Sequence, residues 1–61
     1  MKGMPLKTVR FRGYIYHNVM FFYDCGEKYY IYKYFGKYRR IWYYEIWSED
    51  EYQYRTKKNK Q

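Results

Sequence analysis

The feature that most constrains the fold is a two-residue alternation through the middle of the chain. Between Lys28 and Phe35 every second residue is Tyr, and between Tyr38 and Trp47 rings and Ile recur on both sets of alternate positions. Successive side chains of a β-strand point to opposite faces, so this period predicts two strands. Each face of the predicted sheet therefore carries aromatic rings.

The first third of the chain predicts shorter extended segments. Lys7–Arg12 alternates Val and Phe with polar residues, Gly13 interrupts it as a bulge or a tight bend, and Tyr14–Tyr16 resumes the extended pattern. His17-Asn18 is predicted to turn the chain. Val19–Tyr23 follows as a short apolar run of residues that favour strands.

Two glycine-containing turns connect the later strands. Asp24–Glu27 is typical of a hairpin loop in which Gly26 adopts a positive φ, and Gly36-Lys37 predicts the next turn. The chain therefore predicts a small, twisted antiparallel sheet of three to five strands in a meander. The bend at Gly13 leaves open a barrel-like curl of this sheet.

The pattern changes at Ser48, where a helix is predicted. In a capping box, the Ser48 hydroxyl accepts from the third helical amide and Glu51 reaches back to the Ser48 amide. Acids follow Ser48 directly and bases come later, which suits the helix dipole. We expect a short C-terminal helix over Glu49–Lys57, lying over one face or beside one edge of the sheet, and hence a β-rich α+β fold.

Only large side chains can give so short a chain a core. Twelve Tyr, four Phe and two Trp stand among 61 residues, with no Ala, one Leu and a single Cys that has no internal disulfide partner. A buried aromatic side chain removes about 150–250 Å² from water, which compensates for the small size of the domain. We expect a single domain over residues 1–61 and leave disorder open for residues 1–6 and 58–61.

Basic residues are interleaved with the aromatic ones along the predicted strands. The net charge is +7, and residues 28–44 hold five cations and no acid. Lys and Arg bind phosphates and flat rings stack on bases, so the pattern favours binding of single-stranded or distorted nucleic acid. The candidate phosphate ligands are Arg10, Arg12, Lys33, Lys37, Arg39 and Arg40, and the candidate stacking residues are Tyr32, Tyr34 and Trp42.

These candidates cannot all share one surface. Tyr32 and Tyr34 alternate with Lys33, so they lie on the opposite face and serve only if that face is exposed. A plainer interpretation also explains the pattern: the rings build the core while Lys and Arg keep the chain in solution.

The same composition supports a second function, inhibition of another protein. Tyr, Trp and Arg dominate binding hot spots, and this chain holds nineteen of them, twelve, two and five respectively. Lys, Tyr, Ile and Phe have A/T-rich codons, which suggests an AT-rich genome such as that of a bacteriophage, and small phage proteins often block host or defence proteins. The positive charge would steer such an inhibitor to acidic surfaces or to complexes carrying nucleic acid. A marginal core and an aromatic second face also allow a homodimer.

An enzyme is not expected. Cys25 and His17 could form a nucleophile and base only if the fold brought them together, and no phosphate-binding glycine loop or metal-binding motif is present. The carboxylates of residues 49–51 are explained by helix capping. We therefore predict no catalytic residues, no metal site and no cofactor.

A cytoplasmic location is expected. A membrane span needs about twenty consecutive apolar residues. The longest stretch without charge, Gly13–Tyr23, has eleven and includes His17 and Asn18. Residues 1–12 have no apolar signal core. Association with a membrane surface ranks last among the binding hypotheses.

Overall fold

The computed structural model describes residues 5–57, which form four strands and one helix. Each strand pairs antiparallel with the next in the order β1-β2-β3-β4, so the predicted meander is confirmed. Within the described residues β1 and β4 remain edges, and the sheet is not closed into a barrel. The elements are β1 (Thr8–Phe11), β2 (Tyr14–Asp24), β3 (Glu27–Phe35), β4 (Trp42–Ser48) and α1 (Glu49–Lys57).

Two-residue turns join the first three strands. Arg12-Gly13 connects β1 to β2 and Cys25-Gly26 connects β2 to β3, and all four residues have φ between 53° and 84°. Positive φ at both central positions defines the type I′ turn, whose twist matches that of the flanking strands. Gly13 therefore sits in a hairpin turn rather than in a bulge.

A bulge replaces the turn that was predicted at His17-Asn18. β2 continues for eleven residues, and its register with β3 shifts between Asn18 and Met20. The Asn18 amide Nδ2 donates to the carbonyl oxygen of Ile31 across the ladder at 3.3 Å. One extra residue reverses the alternation beyond it, so Met20 lies on the same face as His17.

The strand predicted to begin at Tyr38 begins instead at Trp42. Residues 36–41 form a loop in which the Gly36 amide donates to the Ile41 carbonyl at 2.8 Å and the Arg40 amide donates to the Gly36 carbonyl at 3.1 Å. Arg40 has φ of 58°, in the left-handed region rather than the extended one. The alternation of residues 38–41 therefore continues the sequence pattern of β4 without sharing its structure.

One face of the sheet, here called the core face, is covered by α1. Trp47 stacks on Tyr32 with ring centroids 4.2 Å apart, and Tyr52 of α1 stacks on Tyr30 at 4.0 Å. Burial of these rings supplies the core that so short a chain otherwise lacks. The buried apolar residues are Val9, Phe11, Tyr16, Tyr30, Tyr32, Trp47 and Tyr52.

Tyrosine hydroxyls tie other segments to this core. The Tyr32 hydroxyl donates to the Leu6 carbonyl at 2.7 Å, and the Leu6 amide donates to the Tyr52 hydroxyl at 3.1 Å. The Tyr30 hydroxyl donates to a carboxylate oxygen of Glu49 at 2.7 Å. Leu6 is thus fastened to the core, whereas the expectation of disorder for residues 1–4 and 58–61 lies outside the described residues.

The predicted helix is confirmed from Glu49 to Lys57. The Ser48 hydroxyl accepts from the Glu51 amide at 3.3 Å, as a capping residue does, while the Glu51 carboxylate pairs with Arg55. The Arg55 guanidinium lies 4.6 Å from the centroid of the Trp47 ring and 3.2 Å from a Glu45 oxygen. Burial opposes its charge, but the hydrogen bond to Glu51 and the charge of Glu45 hold the pKa of Arg55 above its ordinary value.

Candidate functional site

The meander gathers positive charge at one end of the sheet. Antiparallel strands place the β1–β2 turn and the β3–β4 loop at the same end, although they are more than twenty residues apart in sequence. Arg12, Lys37, Arg39 and Arg40 are all exposed there, and residues 12–13 and 36–41 contain no carboxylate. These two segments are called the basic end.

The opposite end of the sheet is acidic. The β2–β3 hairpin carries Asp24 and Glu27, and α1 begins beside β4 with Glu49 and Asp50. Lys28 follows Glu27 in the same hairpin, but the four acids outnumber it, so the two ends of the sheet differ in the sign of their charge. An anionic ligand that approaches the sheet is drawn to the basic end.

The second face of the sheet, here called the open face, is left uncovered by α1 in the described structure. Phe35 and Trp42 are each 45% exposed and Tyr44 is 62% exposed. The Trp42 ring contacts the rings of Phe35 and His17 at centroid distances of 5.3 and 5.8 Å, and Lys33 Nζ lies 4.9 Å from its centroid. Rings and a cation thus form one continuous surface that borders the basic end.

Carboxylates are confined to one end of the open face. Register places Arg10 and Lys33 on this face, and among its strand positions the acids are Asp24 and Glu27 at the acidic end. The acidic residue in the middle of the sheet, Glu45, lies on the core face and pairs with Arg55. The part of the open face next to the basic end is therefore positive and aromatic.

The structure brings most of the predicted site residues together. Arg10, Lys33 and Trp42 lie on the open face, and Arg12 with residues 37, 39 and 40 lies at the basic end. Tyr34 is half-buried on the core face, where its ring packs against Tyr16 and Tyr43.

Tyr32 has to be removed from the candidate stacking residues. Its side chain is fully buried, at 0% exposure, and it stacks on Trp47 in the core. A base cannot reach a ring that has no exposed surface. The face shared by Tyr32 and Tyr34 is the core face, so the opposite face, with Lys33, is the one that α1 leaves uncovered.

Sequence reasoning missed three members of this surface, Phe35, Tyr44 and His17. The register pairs Phe35 with Trp42 and Lys33 with both Tyr44 and His17, so all of them share one face. The signal for Phe35 and Tyr44 was already present, because each is an even number of residues from Lys33 or Trp42 in its own strand. His17 had no such signal, because its segment was predicted to be a turn.

The two residues considered for nucleophilic catalysis lie apart. His17 is in the middle of β2 and Cys25 is in the turn that follows Asp24, so at about 3.3 Å per strand residue they are separated by roughly 20 Å. Residues 5–57 contain no cluster of three or more His, Cys, Asp or Glu side chains that could hold a metal ion.

In the part of the chain that the structure describes, no helix has both the length and the apolar character required to cross a membrane.

No protein-family model matches the chain, and neither the curated proteins nor the solved structures include a significant match. The open face and the basic end are therefore the features that bear on function.

Proposed function

We propose that this protein is a non-enzymatic, cytoplasmic binding protein whose open face and basic end bind single-stranded nucleic acid. The observation that carries the proposal is the acid-free surface on which Trp42, Phe35 and Tyr44 adjoin Lys33 and the basic end. A four-stranded sheet that displays rings is a recurrent solution for binding unpaired bases. No base-specific contact is required, because every base has a face that can stack.

Stacking and charge have separate roles in this proposal. Trp42 contacts Phe35 and His17 edge-on, so the Trp42 and Phe35 rings differ in orientation and offer more than one surface to a base. The cations of the basic end lie in the turn and the loop, where their side chains are exposed and can contact the phosphates of a flexible strand. A strand bound in this way lies along the open face with its phosphates toward the basic end.

The test is fluorescence anisotropy of labelled single- and double-stranded oligonucleotides at about 50 mM and about 200 mM salt. We expect single strands to bind at least as tightly as duplexes, with affinity that falls steeply as salt rises. Replacing Arg39 and Arg40 with Ala should weaken binding on the order of tenfold and reduce the salt slope by about 1.4, which is the contribution of two phosphate contacts on a single strand.

The matched control is the double replacement of Lys7 and Lys57 with Ala, which removes the same charge from exposed positions outside the two segments of the basic end. This variant should retain the salt slope and most of the affinity. Equal losses in the two double variants would show that net charge alone governs binding. No binding by the parent protein at low salt would refute the proposal.

A second candidate function, inhibition of another protein, is favoured by a different observation. Ile15 and Met20 are each 48% exposed and Ile46 is 64% exposed on the open face. Stacking on bases does not need aliphatic side chains, whereas the centre of a protein interface does gain from them. A phage-type inhibitor would use these residues against a host or defence protein, and failure of the oligonucleotide titration leads directly to a search for that protein.

A further inference from the structure

A cleft opens at the basic end on the core-face side of the sheet. Its volume is about 260 Å³, just below the range of about 300–1,000 Å³ that ligand pockets span. This volume suits one compact group rather than an extended chain. The residues that line it are Tyr14, Tyr34, Gly36, Lys37, Tyr38, Arg39 and Tyr43.

Three tyrosine rings form the wall of this cleft. Tyr34 lies between Tyr43, stacked at a centroid distance of 5.3 Å, and Tyr14, which meets it edge-on at 5.0 Å. Gly36 allows this arrangement, because a Cβ at that position would lie 2.4 Å from Cε2 of Tyr43. The cleft therefore combines flat apolar surfaces with several hydroxyl groups, each able to donate a hydrogen bond.

The charge of the cleft is positive. Lys37 Nζ lies 5.0 Å from the centroid of the Tyr14 ring, and Arg39 is the second cation among the lining residues. None of the described residues that line the cleft carries a carboxylate, and Glu45, the next core-face residue of β4 after Tyr43, is paired with Arg55. Aromatic walls, hydroxyl donors and two cations suit a group that is both flat and anionic, as a nucleotide is.

The cleft and the aromatic part of the open face lie on opposite sides of the same end of the sheet. Phe35 pairs with Trp42 and, one register position away, Tyr34 pairs with Tyr43. The first pair points to the open face and the second to the core face, and both border the loop of residues 36–41. A strand that stacks on Trp42 and turns around this loop arrives at Lys37 and Arg39.

We infer that this cleft binds the terminal, phosphate-bearing nucleotide of the single strand that lies on the open face. The inference rests on the proposed function and adds an end preference to it. The terminal base packs against the tyrosine wall, while its phosphate accepts from Lys37, Arg39 and a tyrosine hydroxyl. An internal nucleotide fills the small cleft less well, because the chain must enter and leave it.

The test uses oligonucleotides of about eight nucleotides that differ only in a phosphate at the 5′ end, at the 3′ end or at neither, each labelled internally. Anisotropy titrations at about 50 mM salt should show one phosphorylated end binding about five- to tenfold more tightly than the unmodified strand. The double variant Lys37→Gln, Arg39→Gln should abolish this ratio.

The matched control is Arg12→Gln, Arg40→Gln, which removes two cations of the basic end that do not line the cleft. It should lower the affinity for all three oligonucleotides and preserve their ratio. Equal affinity of the parent protein for all three would overturn the inference and leave the proposed function intact. Loss of the ratio in both variants would also overturn it, because general charge would then explain the preference. Failure of all three to bind would refute the proposed function itself.

Discussion

The two faces of the sheet differ in a way that hydropathy does not predict. The core face buries four tyrosines, together with Trp47, Phe11 and Val9, whereas none of the four isoleucines at positions 15, 31, 41 and 46 is buried. The core is made mostly of rings with polar tips, and much of the aliphatic surface faces outward. Size and polar reach, rather than hydropathy, decide which side chains hold this protein together.

The reason lies in what the hydroxyl groups contact. The buried tips of Tyr30 and Tyr32 bind Glu49 of the helix and the carbonyl of Leu6, so each ring contributes apolar contact and a tether. An Ile in either place would remove the donor to the Glu49 carboxylate or the donor to the Leu6 carbonyl. On the open face, many of the aromatic and aliphatic side chains among the described residues are instead exposed.

The largest predicted difference between the two faces concerns their tryptophans, Trp47 and Trp42. Trp47→Ala removes a ring that is 1% exposed and should lower the free energy of unfolding by about 3–5 kcal/mol, enough to unfold much of so small a domain. Trp42→Ala, on the open face, should cost less than about 1 kcal/mol of stability and weaken binding of a single strand by about 1–3 kcal/mol. Urea denaturation monitored by circular dichroism measures the stability, and anisotropy measures the binding. Equal losses of stability in the two variants would contradict the assignment of the faces.

Removal of one hydroxyl gives a smaller effect. Tyr32→Phe should lower the free energy of unfolding at neutral pH by about 1 kcal/mol, because the Leu6 carbonyl loses its donor. Tyr44→Phe, at an exposed position of the open face, should change it by less than about 0.5 kcal/mol. Thermal or urea denaturation compares the two variants, and a similar loss in both would argue against a tether at Leu6.

The same pair of variants has a pH dependence with a definite sign. Burial, followed by the charge of Tyr52, raises the pKa of Tyr32 above its ordinary value of 10.0. The stabilisation that depends on its protonated form is complete below pH 10 and is lost as the pH rises through the elevated pKa. The difference in stability between the parent protein and Tyr32→Phe should therefore be constant up to about pH 9 and shrink at higher pH.

The smallest predicted effect concerns the tether between Tyr30 and the helix. Hydrogen bonds from Gln53 and from Tyr30 hold the pKa of Glu49 below its ordinary value of 4.5. A lowered pKa means that the stabilisation is present above pH 4.5 and is lost as the pH falls through the lower folded-state value. Glu49→Gln should therefore cost less than about 1 kcal/mol at pH 7 and progressively less in acid.

Asp50→Asn is the control for this effect. Asp50 occupies the same acidic first turn of α1 but is exposed. The control should show only the small loss expected from the helix dipole. If both variants had the same melting temperatures across the acid range, the tether from Tyr30 would contribute nothing.

Local rules in the sequence predicted the connections and the helix. Gly26 in a two-residue loop predicted the second hairpin, and the Ser48 cap followed by three acids predicted α1 with its observed bounds. The same rules failed at His17-Asn18, where pairing with β3 keeps the chain extended and a bulge absorbs the extra residue. They failed again at residues 38–41, where hydrogen bonds within the loop override the alternation. At His17-Asn18 long-range strand pairing outweighs a weak local preference, whereas at residues 38–41 short-range hydrogen bonds do so.

The candidate site, too, could be predicted from the sequence only in part. That Arg and Lys interleave with rings was evident from the sequence, and so was the separation of Lys33 from Tyr32 and Tyr34 onto opposite faces. The sequence could not show which of those faces is the core. That choice depends on where α1 packs, and Tyr52 stacked on Tyr30 fixes it.

The sequence by itself determined an antiparallel meander with a capped C-terminal helix, because period-two alternation, type I′ turns and helix caps act over a few residues. Only the tertiary structure decided that Arg12 lies at the same end of the sheet as Lys37, Arg39 and Arg40. It also decided that Tyr32 is core while Trp42 is exposed. Strand pairing and helix docking join residues far apart in the chain, so their result is set by the packing of the whole domain.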